Sequence, residues 1–391
     1  MRAIFSAFVI VCLVSTTSTV VAQVPLENLG APATGMIAYV DPPEGDAGQL
    51  PPADQLLVPA DQFLASADQT VNMGPDSSQP IGEYVSSCRG TYFQADGLYW
   101  GRVGTGCDQV LVINNTLTPG ADTLYRTNDL KFNGTGGMRF LVGWTPDPCR
   151  CSRCCAFELS YFGLFGWQAH AQVAGPGNLA IPGDLGLASN NFFGADLMDV
   201  NYRSSLHNVE LNCIKSCCLC NAKIDFLAGF RFITLQERFT LTATDFQEGT
   251  SNYNIKANNY LFGGQLGGRY TRYYDHWSLQ FTGKAGVFLN QATQSQIATD
   301  FPTVGGPFLL RDRIGANNSG VAALGEVGVT AIRPINDTWS LRLGYMALGI
   351  GGVALAPDQL DFTDTFQSGN HLSTNGWIFV HGAVLGAEAR W

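Results

Sequence analysis

The stretch Trp277–Leu289, WSLQFTGKAGVFL, places Trp277, Leu279, Phe281, Gly283, Ala285, Val287 and Leu289 at odd positions and Ser278, Gln280, Thr282 and Lys284 at even ones. A strand turns successive side chains to opposite faces, so one face is apolar and the other polar and charged. The division returns at Trp339–Gly349, where Trp339, Leu341, Leu343, Tyr345 and Ala347 oppose Ser340 and Arg342. It returns again at Tyr260–Arg272, where Tyr260, Phe262, Leu266 and Tyr270 oppose Asn259, Gln265 and Arg269. GGQLGG at Gly263–Gly268 lies inside that alternation and reads as strand, not as a nucleotide loop. Further strands are expected at Tyr92–Trp100, Thr135–Trp144, Ala156–Phe165, Ser205–Cys213, Ile224–Leu235, Val321–Ile332 and Trp377–Trp391. The total is about ten, an even number, with eight or twelve reachable by small boundary shifts.

Charge placement and connection length say what the apolar face is for. The polar face carries Asp96, Glu158, Glu210, Asp225, Glu326 and Glu388 with Arg139, Arg231, Arg269, Lys284, Arg342 and Arg390, and no charge is expected on the apolar face. Connections at Thr145–Cys155, Ile214–Lys223, Tyr273–His276 and Arg333–Thr338 are short. Those at Arg102–Gly134, Gly166–Arg203, Gln236–Asn258, Asn290–Gly320 and Gly351–Gly376 are long. Tight turns on one rim and long loops on the other are the pattern of an outer-membrane barrel, so the expected class is all-β: a transmembrane up-and-down antiparallel β-barrel. Tyr99, Trp144, Phe165, Trp277, Trp339, Trp377 and the terminal Trp391 fall near strand ends, as interfacial girdles require.

Composition agrees. Of 391 residues, 46% are hydrophobic and only 14% charged, and 22 Lys and Arg against 32 Asp and Glu give a net charge of -10, which excludes a nucleic-acid partner. Beyond residue 22 no apolar run approaches the roughly 18 to 20 residues of a spanning helix. Residues 1–22 read as a signal peptide. Residues 23–87 read as a Pro/Ala/Asp/Gln-rich extracytoplasmic linker with three heptads, PADQLLV (Pro52–Val58), PADQFLA (Pro59–Ala65) and SADQTVN (Ser66–Asn72). The barrel is assigned to residues 88–391.

Three segments carry a family resemblance: YFQADGLYWGR (Tyr92–Arg102), LAGFRFITLQERF (Leu227–Phe239) and GAVLGAEARW (Gly382–Trp391). Together they make the chain, from about Arg89 to Trp391, similar to the seventh putative beta-barrel porin family of planctomycete bacteria. The resemblance implies an outer-membrane barrel and adds little about transport. The ADQ heptads and the cysteine clusters are not part of the family pattern.

Eight cysteines form two groups, Cys149, Cys151, Cys154 and Cys155, then Cys213, Cys217, Cys218 and Cys220, both expected on short turns of one rim. Rim disulfides are the first reading, and thiolate binding of zinc or an iron-sulfur centre the second. Cys88 and Cys107 should sit about 40 Å apart at 3.3 Å per residue and are not expected to pair. No cofactor is expected. The expected partners are outer-membrane lipid and periplasmic or cell-surface partners reached by the linker or the loops.

Four functional readings follow, in order. Ten strands leave at most a narrow lumen, and six acids balanced by six bases favour an internal ion-pair network over a single-sign filter. A surface or envelope scaffold with at most small-solute permeation is the first reading, with a true narrow porin and a loop-mediated adhesin as alternatives. An outer-membrane hydrolase comes last. Asp275 and His276 sit on a short turn, His371 with Asp361 and Asp364 is a loose loop set, and His170 is an isolated loop histidine.

Overall fold

A computed structural model describes residues 90–115, 122–145, 155–186, 191–365 and 367–391. The proposed signal peptide and the heptad linker lie outside the described residues, as do Cys88, Cys149, Cys151 and Cys154. Twelve strands follow in chain order: β1 (Gly90–Val103), β2 (Val110–Asn114), β3 (Thr123–Arg126), β4 (Thr135–Thr145), β5 (Ala156–Ala180), β6 (Phe193–Leu219), β7 (Ala222–Asp245), β8 (Gly249–Tyr273), β9 (Ser278–Pro302), β10 (Phe308–Pro334), β11 (Trp339–Val353) and β12 (Gly376–Arg390). Ten of them, β1 and β4 to β12, close an antiparallel ring in which β1 pairs with both β4 and β12. Over the height that all ten strands share, closure leaves no unpaired edge, the condition for strands to cross lipid. No described helix is long and apolar enough to cross a membrane.

The strands are unequal. β1, β4, β11 and β12 have 11 to 15 residues, whereas β5 to β10 have 24 to 27. About 9 to 11 tilted residues span a bilayer, so β5 to β10 continue past it as a tall wall along one side of the mouth. Three of the expected long loops are therefore corrected. Gly166–Arg203, Gln236–Asn258 and Asn290–Gly320 are mostly paired strand, with turns near residues 246–248 and 303–307. Arg102–Gly134 contains the β2–β3 hairpin, which joins the top of β5 through Ile113 and Asn114.

The alternation reads as loop there because its polarity inverts. On β7 the outward side chains Phe226, Phe230 and Phe232 are exposed and apolar, but further along the same face comes Thr234, Gln236, Arg238, Thr240 and Thr242. The inward face changes in the opposite sense, from Asp225 and Arg231 to Ile233, Leu235, Phe239 and Leu241. Below the crossover the outside faces lipid, and above it the outside faces water while the inside must be a dry core. Tyr260 and Tyr270 bracket the outward band on β8. Trp144, Trp277, Trp339 and Trp391 are exposed at the short-turn rim, and Tyr99, Phe165 and Trp377 at the other boundary, giving two girdles. Arg272 corrects the expectation that the apolar face carries no charge: it is exposed on that face, at the short-turn rim where water is close.

Candidate functional site: the barrel interior

Just inside the short-turn rim the inward side chains form a charged belt. Arg231 Nη2 lies 2.7 Å from Glu326 Oε2 and 3.0 Å from Glu210 Oε1, and Lys284 Nζ lies 2.8 Å from Glu210 Oε2 and 3.1 Å from Glu326 Oε1. Two cations thus bridge two carboxylates from four strands. Asn208 and Gln265 accept further donors of Arg231 at 2.5 and 3.3 Å. Arg269 grips Glu158 with both terminal nitrogens at 2.9 Å, a planar fork matched to a carboxylate, and lies 3.7 Å from Asp225. Tyr92 donates its hydroxyl to the same Glu158. Arg139 Nη2 is 2.6 Å from Asp96, and Arg342 Nη1 is 2.7 Å from Glu388, which also holds Arg390 at the rim. A cavity of about 50 Å³ remains between these groups, room for a few waters at most. Every acid in the belt faces a base, so the belt presents no ring of one sign.

Above the belt the interior turns apolar. Trp100, Phe162, Leu164, Trp167, Leu206, Leu235, Leu261, Phe288 and Leu348 fill the cross-section, each fully or almost fully buried. Trp167 points inward because a bulge between Leu164 and Trp167 resets the alternation, and Gly166 at the bulge has φ +151°, a conformation side chains resist. The inward face is therefore not the continuous polar surface that the charge assignment suggested.

The third layer combines a buried ion pair with an inserted segment of chain. Arg102 Nη2 is 2.7 Å from Glu237 Oε1, Tyr202 donates to Glu237 Oε2 at 2.6 Å, and the Arg102 guanidinium stacks 4.5 Å from the Phe132 ring centre. Glu237 also accepts the backbone N–H of Ala356 at 2.8 Å. It thereby anchors the β11–β12 connection, whose described residues 354–365 and 367–375 fold into the mouth. Asn259 both donates to Ala354 O and accepts from Ala354 N, each at 2.7 Å, and Gln296 donates to Gln359 O at 2.7 Å. Gln294 donates to the carbonyls of Gly369 and His371, and Arg311 to those of Asp361 and Thr363. Leu355, Ala356, Leu360 and Leu372 are buried. The segment is a plug held by inward Asn, Gln, Arg and Glu side chains of the tall wall. Glu237, Asn259, Gln294 and Gln296 share the inward parity of their strands, the one sequence signal that marks them, whereas Arg311 turns inward out of parity, through the register shift between Arg311 and Ile314.

Two plug carboxyls experience opposite environments. Burial pushes Asp358 up, only partly offset by the Cys107 N–H it accepts. Burial also acts upward on Asp361, but the Thr363 hydroxyl and the Gly369 and Thr363 N–H groups outweigh it and hold that carboxyl below its usual range. Burial pushes the Tyr253 hydroxyl beside Arg311 up to about 12.

The remaining candidates are spread apart. Cys213, Cys217 and Cys218 are on strand β6 rather than in a turn, and only Cys220 is in the turn itself. The described thiols Cys107, Cys155, Cys213, Cys217, Cys218 and Cys220 are free, and Cys155 and Cys213 are hydrogen-bonded to each other. No metal-holding group of three or more His, Cys, Asp or Glu occurs among the described residues. His170 is on β5, not in a loop, with Nε2 2.6 Å from Asp199 Oδ2 on the exposed outer face. The structure does not bring it to His371, whose backbone carbonyl serves the plug.

With this geometry in hand, comparison with known proteins gives three results. The model of the family described as putative beta barrel porin-7 matches residues 109–375. No curated protein matches the chain in sequence. Solved structures with a similar course include outer membrane protease OmpT from Escherichia coli, at 10% identity and TM-score 0.40 over 78% of this chain and 98% of that one. A Pseudomonas aeruginosa FadL homologue follows at 8% identity and TM-score 0.25, over 78% and 90%. The transport unit of the autotransporter AIDA-I from Escherichia coli stands at 6% and 0.25, over 80% and 93%.

Proposed function

The chain belongs to the family described as putative beta barrel porin-7, and from that premise we propose that it is a closed envelope barrel of the outer membrane, a scaffold that passes at most small solutes. In this reading the short turns face the periplasm and the tall wall of β5 to β10 stands on the cell surface. One observation carries it: three successive layers of the interior, charged, apolar and plugged, are each filled by this chain's own side chains. An open porin of sixteen strands holds water across its whole bore, whereas ten strands leave a bore that ordinary side chains fill. The balanced belt contributes rigidity to that cross-section rather than selectivity. Export by the N-terminal segment, and contacts of the linker with a periplasmic partner, belong to the same reading.

A narrow porin is the second reading, favoured by one feature. The plug is held largely by polar contacts to carbonyls, which water can replace, so its release would expose the apolar layer to solvent. Refolding the mature chain and recording in a planar bilayer separates the two: a scaffold stays silent, and a gated porin opens in bursts that change when Arg269 is neutralised.

A further inference from the structure

The outer face of the tall wall carries a row of cations that the fold does not use. The strand register sets Arg203 of β6 opposite Arg238 of β7, Arg238 opposite Lys256 of β8, and Lys256 opposite Ser295 of β9. Arg238, Lys256 and Arg313 of β10 line one surface depression of about 220 Å³. All four cations are exposed. Like charges directly opposed across strands destabilise a sheet, and nothing in the composition requires them, since the chain carries a net charge of -10. Among the described residues, Arg238, Lys256 and Arg313 form no ion pair. The nearest outward acids on these strands are Asp199, already bonded to His170 and Gln172, and Asp312 beside Arg313.

The height of the row bears on what it could bind. Tyr260 is the last aromatic of the outward apolar band on β8, and Lys256 follows two outward positions later. Four residues at about 3.3 Å each, tilted about 40°, raise it roughly 10 Å above the apolar boundary, within reach of the headgroup layer once the side chains lean toward it. We propose that Arg238, Lys256 and Arg313 form a binding site for the phosphate groups of lipid headgroups in the outer leaflet. Arginine forks and a lysine charge around one depression suit a phosphate's several acceptor oxygens, and Arg203 extends the row. The site would hold a ring of ordered lipid against the wall where it leaves the bilayer. The inference rests on the membrane placement given above, not on the closed lumen.

The test uses the mature chain refolded in non-ionic micelles and native mass spectrometry, with three probes: a diphosphorylated glucosamine lipid, its dephosphorylated form, and inorganic phosphate as competitor. The expected result is retention of the phosphorylated lipid about tenfold or more above the dephosphorylated one. That preference should vanish in Arg238→Ala/Lys256→Ala/Arg313→Ala, survive in Lys256→Arg, and withstand millimolar inorganic phosphate. Heat-modifiable mobility verifies that each variant is folded. Equal retention of the phosphorylated lipid by the triple variant overturns the site, and displacement by inorganic phosphate overturns the assignment to lipid. Because the readout is retained lipid and not current, it can fail while the closed-barrel reading stands.

Discussion

Arg231 on β7 and Glu326 on β10 meet at 2.7 Å although two strands separate theirs around the ring, so the ion pair crosses the bore instead of following the wall. Both side chains are almost completely shielded from solvent. A contact of this kind ties non-neighbouring strands together across the bore, and its loss leaves a buried charge without its partner.

Arg231→Met should therefore cost about 3 to 5 kcal/mol, because Glu210 and Glu326 remain buried with only Lys284 to share. Urea unfolding in micelles measures it. A loss under about 1 kcal/mol would mean that the belt is wetter than its geometry implies.

Asn259 satisfies both backbone groups of Ala354 at the root of the plug. Asn259→Ala strands a buried N–H and a buried C=O, a cost of about 2 to 4 kcal/mol that falls on the plug rather than on the ring. Limited proteolysis should then cut within residues 354–375 while the barrel keeps its heat-modifiable mobility. Unchanged protease resistance would show that the plug does not depend on this contact.

The two plug carboxyls give opposite pH dependences. Asp361 is held below its usual range, so its stabilisation is complete above the carboxylate range and fades as pH falls through the depressed value. Asp358 is pushed up, so folding favours its protonated form and its ionisation costs stability as pH rises through the raised value. Asp358→Asn should consequently stabilise the plug at pH 7 and do little at pH 4, whereas Asp361→Asn should destabilise it at pH 7 and do little in strong acid. Hydrogen exchange of residues 354–375 across that range reads both signs, and the same sign for both would refute the account.

Cys155, just ahead of β5, and Cys213 on β6 are hydrogen-bonded at the short-turn rim. A disulfide-donating oxidant should join them, the two thiols giving up two protons and two electrons to it. Peptide mapping after oxidation should find the Cys155–Cys213 link. If Cys213 instead links only to Cys217, Cys218 or Cys220, the rim is arranged differently.

Much of the ring was legible in the sequence because each of its strands alternates through the bilayer with apolar residues outward, as Trp277–Leu289 does. Strand height was not. Past Phe232 and Tyr260 the alternation persists with its meaning reversed, so Tyr253, Ile255 and Ala257 read as loop residues although they are the inner face of the wall. The belt residues were legible because a charge on a lipid-crossing strand has one place to go. The plug was not, since its grip depends on neutral Asn and Gln side chains aimed at carbonyls more than fifty residues away.

Planar-bilayer recording of the refolded mature chain, with Arg269→Ala alongside, puts the sealed interior to the test. A sealed interior gives no reproducible openings from a folded, heat-modifiable barrel of either chain. Steady single-channel current from the wild-type protein, altered in the Arg269→Ala variant, would contradict it and make the belt the lining of a path.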